Sequence, residues 1–209
     1  MLPPTQAYAD MYDVFLRNQQ GFQSSAAIAA GTVYVGCRDA HLYAIDLRAG
    51  TQKWHVDTAG SWVVSSPAVS RGRVFFATSD SAQYHVVDAT TGAPAQALGS
   101  TQACVFGSPT VAGDTVLLGV LNGTLEARDR DDGRMLWQFR TEAARANLDW
   151  VLAADGKFDA ARPCPSSRGD VSAEGARRQQ GVGSFFSTPL VADGTVYIGS
   201  ADPRLHAIE

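Results

Sequence analysis

Four kinds of side chain in this sequence have the chemistry to build a site, and their spacing tests each one. Histidines stand at 41, 55, 85 and 206. His41, His85 and His206 fall at nearly equivalent places in recurring segments, and His55 adjoins Trp54. Side chains repeated from unit to unit are held apart by the width of a unit, so these are expected to be surface histidines of a repeat. Ser65-Ser66, Ser108 and Ser187 also recur, but none lies in the Gly-x-Ser-x-Gly elbow that presents a nucleophile. Asp129-Arg130-Asp131-Asp132-Gly133 opens like a calcium loop yet lacks the closing glutamate that would supply a bidentate ligand. Turn chemistry accounts for it. Cys37, Cys104 and Cys164 show neither CxxC nor Cys/His ligand spacing, so packed or surface thiols are expected rather than zinc or a disulfide framework. Glycine-rich phosphate loops are absent. The expectation is that no residue is catalytic, cofactor-binding or metal-binding.

The elements that would position these residues are short strands. Gly107 to Phe139 is the clearest unit. Ser108-Pro109 leads into an apolar strand, Gly113-Asp114 turns the chain, and Val116-Leu117-Leu118 is a second strand ending at Gly119. Asn122-Gly123 reads as a tight primed turn, which needs positive φ at both central residues. Thr124 to Asp129 then alternates, with Leu125 and Ala127 expected inward and Glu126 and Arg128 outward. After a turn at Asp129–Gly133, Met135 to Phe139 carries Trp137. Four short antiparallel strands in about forty residues make one propeller blade.

Copies precede and follow it. The first starts at Ser24-Ser25, with Thr32-Val33-Tyr34-Val35-Gly36 and Leu42 to Asp46. The second runs from Ser65-Ser66-Pro67 through Val74-Phe75-Phe76 to Asp88, and the last from Ser187-Thr188-Pro189. Val33, Val74 and Val116 are 41 and 42 residues apart, and Val196 lies a further 80 on. Residues 142–184 lack every repeat signature and read as an insertion, partly mobile, with a hairpin expected around Trp150 to Phe158. The units are therefore blade 1 at 24–64, blade 2 at 65–106, blade 3 at 107–141, and an incomplete blade 4 at 185–209. Residues 1–23 form a tail whose Tyr12–Leu16 strand is placed to complete a blade.

Asp46/Gly50/Trp54, Asp88/Gly92/Gln96 and Asp129/Gly133/Trp137 share one spacing. The aspartate accepts turn N–H groups and the glycine takes the left-handed conformation. The tryptophan, four residues on, is expected to peg into the neighbouring blade, its indole N–H on a carbonyl there. In blade 2, Pro94 and Gln96 degrade the fourth strand. Trp62 and Trp150 fall in loops, to line a channel or cover an edge.

Ser-Ser-Pro-Ala-Val, Gly-Thr-Val-Tyr-Val-Gly and Leu-Tyr-Ala-Ile-Asp-x-x-x-Gly-x-x-x-Trp together resemble the repeat of the pyrroloquinoline quinone (PQQ)-like β-propellers. That family includes quinoprotein alcohol dehydrogenases and the outer-membrane assembly lipoprotein of the barrel-insertion machinery. The resemblance covers residues 24–141 and 187–209 and implies an all-β propeller. About four PQQ-like blades are present, where the family's rings usually hold seven or eight. Four blades imply a partial or half ring, one completed by a partner chain, or a tightly closed ring.

For the dehydrogenases the resemblance implies PQQ stacked between a tryptophan and a vicinal disulfide, with a calcium ion beside it. The chain has no Cys-Cys pair. The reading is therefore a non-catalytic module, a protein-binding or assembly scaffold without cofactor. Its alternatives are a fragment of a PQQ-dependent, calcium-containing alcohol dehydrogenase and the sensory propeller of a signalling protein. The expected partner is another protein or a second copy that completes the ring.

Composition bounds the rest. The 209 residues are 45% hydrophobic and 18% charged, ordinary for a globular chain with a real core. A net charge of −4 excludes a nucleic-acid surface. No apolar run is long enough for a transmembrane segment. Met1–Gln23 has no secretory-signal pattern, whereas the resemblance implies a periplasmic or extracytoplasmic place.

Overall fold

The computed structural model describes residues 21–79, 81–97, 99–101, 103–147 and 180–209. The strand expected at Tyr12–Leu16 and the hairpin around Trp150–Phe158 lie outside them.

Each recurring segment folds into an antiparallel sheet whose strand order follows the sequence. The first sheet holds β1 (Ala27–Ala29), β2 (Thr32–Cys37), β3 (His41–Asp46) and β4 (Gln52–Asp57). The second holds β5 (Ala68–Ser70), β6 (Arg73–Ala77), β7 (Gln83–Asp88) and β8 (Gly99–Ser100). The third holds β9 (Thr110–Ala112), β10 (Thr115–Gly119), β11 (Thr124–Asp129) and β12 (Met135–Arg140). β13 (Leu190–Ala192), β14 (Thr195–Gly199) and β15 (Leu205–Ile208) make the fourth, three-stranded among the described residues. One short helix, α1 (Glu142–Ala146), follows β12, its first turn capped by the Thr141 hydroxyl.

The sheets stack face to face in chain order. Tyr34, Leu42 and Ala44 of the first pack on Val74, Phe76 and Val87 of the second. Phe75, Tyr84 and Val86 pack on Val116 and Leu118 of the third. Leu117, Leu125 and Ala127 pack on Val196 and Ile198 of the fourth. The second strands are apolar on both faces because the middle sheets are covered on both sides. The all-β propeller architecture expected from the repeat is what the chain adopts, as a run of blades.

Three local expectations are corrected. Glu126 and Arg128 do not face outward. They share a side of β11 with the pairing partners Leu118 and Val116, and that side is sealed by the second blade. Both are buried, and the Arg128 Nη2 and Nε donate to Glu126 Oε2 at 2.7 and 2.9 Å. Alternation predicts an exposed face only for a sheet covered on one side, and this sheet is covered on two.

The tight primed turns lie elsewhere than Asn122-Gly123. Both residues have positive φ at Ala30-Gly31, Arg71-Gly72 and Asp193-Gly194, between the first and second strands of their blades, and at Ala59-Gly60 after β4. At the β10–β11 connection only Gly123 does, with φ +75. Gly123 N–H closes a four-residue turn on Val120 O, and Asn122 Oδ1 accepts from Thr124 N–H.

Cys104 is disulfide-bonded rather than a packed thiol, whereas Cys37 is free and buried. Cys164 lies outside the described residues. Linear spacing could not reveal a pairing made by folding.

Candidate functional site

Two sets of hydroxyls at the blade entries hold the stack together. The first set ties each entry to its own second strand. Ser24 Oγ accepts from Gly36 N–H and donates to Gly36 O, at 2.7 and 3.1 Å. Ser65 does the same at Ala77 and Ser187 at Gly199. The second set links one blade to the next. Ser25 N–H donates to Ser66 Oγ (2.8 Å), Ser66 N–H to Ser108 Oγ (2.9 Å), and Ser108 N–H to Thr188 Oγ1 (3.3 Å). The Ser-Ser/Thr-Pro signature is thus an inner clasp, and none of its hydroxyls is paired with a histidine as a nucleophile would be.

The outer clasp is the peg. Trp54 lies over Gly92, where an added Cβ would come within 2.8 Å of the indole, and its Nε1–H donates to Ala89 O at 3.3 Å. Tyr34 Oη donates to the same carbonyl at 2.9 Å. One blade along, Gln96 Nε2 donates to Arg130 O at 2.6 Å, so the glutamine replaces the indole as peg. Trp137, at the third place, remains 39% exposed.

The turn aspartates act as expected. Asp46, Asp88 and Asp129 each accept two turn N–H groups through Oδ1. Those bonds hold all three carboxyls below the usual carboxylate range. In the acidic run, Asp131 is bound by Arg130 and Asp132 by Arg134. Carboxylates turned onto backbone N–H groups and guanidinium groups do not converge on a cation, and this turn does not fit calcium. Among the described residues no cluster of His, Cys, Asp or Glu has the geometry to hold a metal ion.

His41 and His55 form one pair, and His85 and His206 stand apart on other blades. His41 and His55 meet across β3 and β4 with ring centroids 5.0 Å apart, beside Tyr43. His41 Nδ1 lies 2.9 Å from Asp39 O, and Tyr43 Oη donates to Asp39 Oδ2 at 2.6 Å. That bond, with burial, pushes the Tyr43 phenol up to about 12. Burial opposes ionisation of Asp39, but bonds from Tyr43 and Cys37 and the nearby His41 outweigh it and hold the carboxyl low. His85 stacks flat on Phe76 at 4.6 Å, and burial pushes its imidazole down to about 4. His206 lies on the fourth blade between Phe139 and Phe185. Trp62 is covered by the Arg38 guanidinium at 3.7 Å, and Trp150 lies outside the described residues.

Two sheet faces, one on the first blade and one on the fourth, are bare among the described residues. On the first blade, Ile28 is 60% exposed, beside half-buried Val33, Tyr43 and Ile45. On the fourth, Leu190 is 62% and Leu205 74% exposed, with Tyr197 between them in the sheet. Inside the stack the equivalent faces are sealed by a neighbour. These are blade-docking faces without a blade on them, among the described residues.

Fold and clasps together define a β-propeller of PQQ-like blades, held by entry hydroxyls within and aromatic or amide pegs outside. The sequence profile of the family described as "Outer membrane protein assembly factor BamB" (PQQ_2) matches residues 10–209, and the chain belongs to that family. A curated relative, the outer membrane protein assembly factor BamB of Moranella endobia (strain PCIT), is 27% identical over 93% of this chain and 53% of its own length. The chain thus spans about half of that relative.

Solved structures share the fold. BamB from Moraxella catarrhalis aligns with a TM-score of 0.62 at 20% identity, over 90% of this chain and 46% of that one. The computationally designed Ika4 protein aligns at 0.63 and 16% identity, over 92% and 94%. Quinohemoprotein alcohol dehydrogenase from Comamonas testosteroni aligns at 0.61 and 18% identity, over 88% and 30%.

Proposed function

We propose that this chain is a non-catalytic scaffold module of outer-membrane protein assembly, acting outside the cytoplasm through its contacts with other proteins. The observation that carries the proposal is the pair of bare faces on blades that belong to the BamB family. A surface of Ile28, Leu190, Tyr197 and Leu205 is costly in water, since apolar area is worth ~25 cal/mol per Å² when buried. Further blades of the same repeat, in a second copy or a longer chain, are the natural cover. They would continue the clasp, because Ser25 Oγ is placed as Ser66 and Ser108 are, to accept the entry N–H of a preceding blade. A periplasmic place is supported by the Cys104 disulfide, since such bonds persist in oxidising compartments.

The dehydrogenase reading finds little support in the residues: there is no vicinal cysteine pair, and the acidic turn is tied to its own arginines. Light scattering on the chain tests ring completion. A species of twice 22.2 kDa that falls to one copy in Leu190→Lys is expected. A dispersed single copy that binds no apolar dye and ignores that substitution overturns the ring reading. Titration with PQQ and Ca²⁺ tests the scaffold itself, which tight binding with a shift in quinone absorbance would sink.

A further inference from the structure

A cavity of about 360 Å³ opens where the end of the third blade meets the fourth. Phe139 and Arg140 reach it from the end of β12, Glu142 and Arg145 from α1, Leu205 and His206 from the start of β15, and Arg204 from the residue before it. Three arginines thus stand around one carboxylate. Arg204 is engaged, with Nη1 at 2.6 Å from Glu142 Oε2 and Nε at 3.9 Å from Asp202 Oδ2. Arg140 and Arg145 have no ion-pair partner among the described residues, and the buried Arg140 Nε has no acceptor. The Arg145 guanidinium lies 5.9 Å from the centre of the Phe139 ring. His206 Nε2 lies 2.8 Å from Ser200 Oγ, which also bonds the Asp202 carboxylate.

Two guanidinium groups without a close ion pair stand at one cavity, Arg145 acting on Glu142 only through its charge and Arg140 holding a buried donor that lacks an acceptor, and together they favour an anion. An unsatisfied buried donor is costly, and a charged acceptor restores its bond with interest. The walls select the kind of anion. Glu142 is in the lining and repels a dianion twice as strongly as a monoanion. Phe139 and Leu205, the latter 74% exposed, offer apolar contact beside the charge. We propose that this cavity is a binding site for a carboxylate carried on an apolar stem, held by Arg140 and Arg145 against Phe139 and Leu205. The proposal rests on neither ring completion nor the assembly role, and of its residues Leu205 alone also belongs to the bare face that a further blade would cover, so Phe139 carries the apolar contact in a completed ring.

The chemistry is shared by a free small acid and by an acidic side chain of a protein segment, and the test separates them. The intact chain is titrated by NMR with 3-phenylpropionate, its uncharged amide, acetyl-Leu-Glu-amide and inorganic phosphate. Saturable binding of a carboxylate is expected, weakened about tenfold by Arg145→Gln at the exposed position and further by Arg140→Gln. Tighter binding of the dipeptide assigns a protein segment as the source, and tighter binding of 3-phenylpropionate assigns a small acid. Either outcome supports the site. The proposal is overturned if no carboxylate binds, if the amide binds equally well, if phosphate binds more tightly, or if Arg145→Gln, which leaves the core untouched, changes nothing.

Discussion

Trp54 and Trp137 hold the same place in their blades, yet only Trp54 has a neighbour's turn to rest on. Its indole covers Gly92 and bonds Ala89 O, so Trp54→Ala should cost ~2–4 kcal/mol, about 1 kcal/mol less than for fully buried core aromatics because the ring is half-buried. Trp137→Ala should cost under ~1 kcal/mol in the chain by itself. Urea unfolding of the two variants checks the contrast, and equal losses would refute the peg. Glu126 poses a different problem: Glu126→Ala leaves Arg128 buried without its carboxylate and should cost ~3–5 kcal/mol. Replacing both residues with leucine and methionine should cost less than that single change, which a double-mutant cycle measures. His85 gives the pH dependence. Its folded pKa of about 4 lies below the ordinary 6.5, so the unfolded chain binds the proton first. Its contribution is full above pH 6.5 and is lost as pH falls toward 4. The turn aspartates, with lowered pKa values, lose theirs lower still, as pH drops through their folded values. The melting temperature should therefore decline between pH 6.5 and 4, and His85→Phe, which keeps the stack on Phe76, should flatten that decline. A variant profile superimposable on the parent's would exclude His85 as its cause.

At the scale of elements, the β10–β11 turn is the most constrained connection. A Cβ at Gly123 would lie 2.0 Å from Val182 O and 2.8 Å from Ala144 Cβ, at a φ of +75 that side chains resist. The turn is thus the seat on which both ends of the 142–184 excursion rest. Thr141 Oγ1 donates to Val182 O, and Asn147 Nδ2 to Gly181 O. Gly123→Ala should destabilise by several kcal/mol, and hydrogen exchange should show the loss first at α1 and Val182–Phe185. Uniform loss across all four sheets would contradict this seat. β8 shows the opposite case. The fourth strand shrinks to Gly99–Ser100, as the sequence implied, and Pro94 keeps only an isolated bridge to Val87, flanked by Asp88 N–H on Ala93 O and Ala95 N–H on Val86 O, with its missing N–H on the side away from β7. Arg128 of the next blade bonds this short strand, its Nη2 donating to Ser100 O at 2.7 Å.

At the scale of the molecule, a run of blades is stabilised neighbour by neighbour, so the first and last carry its exposed apolar cost. That is why Leu190→Lys should disperse an assembled ring while leaving the melting of a single chain within ~0.5 kcal/mol. Sedimentation and denaturation on one sample separate the two effects. A loss of stability without a change of mass would mean that the face packs within the chain.

Local sequence determined the blades, because each needs only short-range order: a hydroxyl-proline entry, glycine at positive φ, and an aspartate turn four residues ahead of a peg. Those signals were readable at Ser65-Ser66-Pro67, Gly92 and Trp54. Tertiary structure alone decided what lies between blades. Whether Glu126 and Arg128 meet water depends on a second sheet lying over them, and whether Cys104 finds a partner depends on folding across many residues. The three arginines of the cavity come from β12, α1 and the residue just before β15, separated by up to 64 positions. Side chains that distant in sequence acquire a common chemistry only when packing brings their charges to one place.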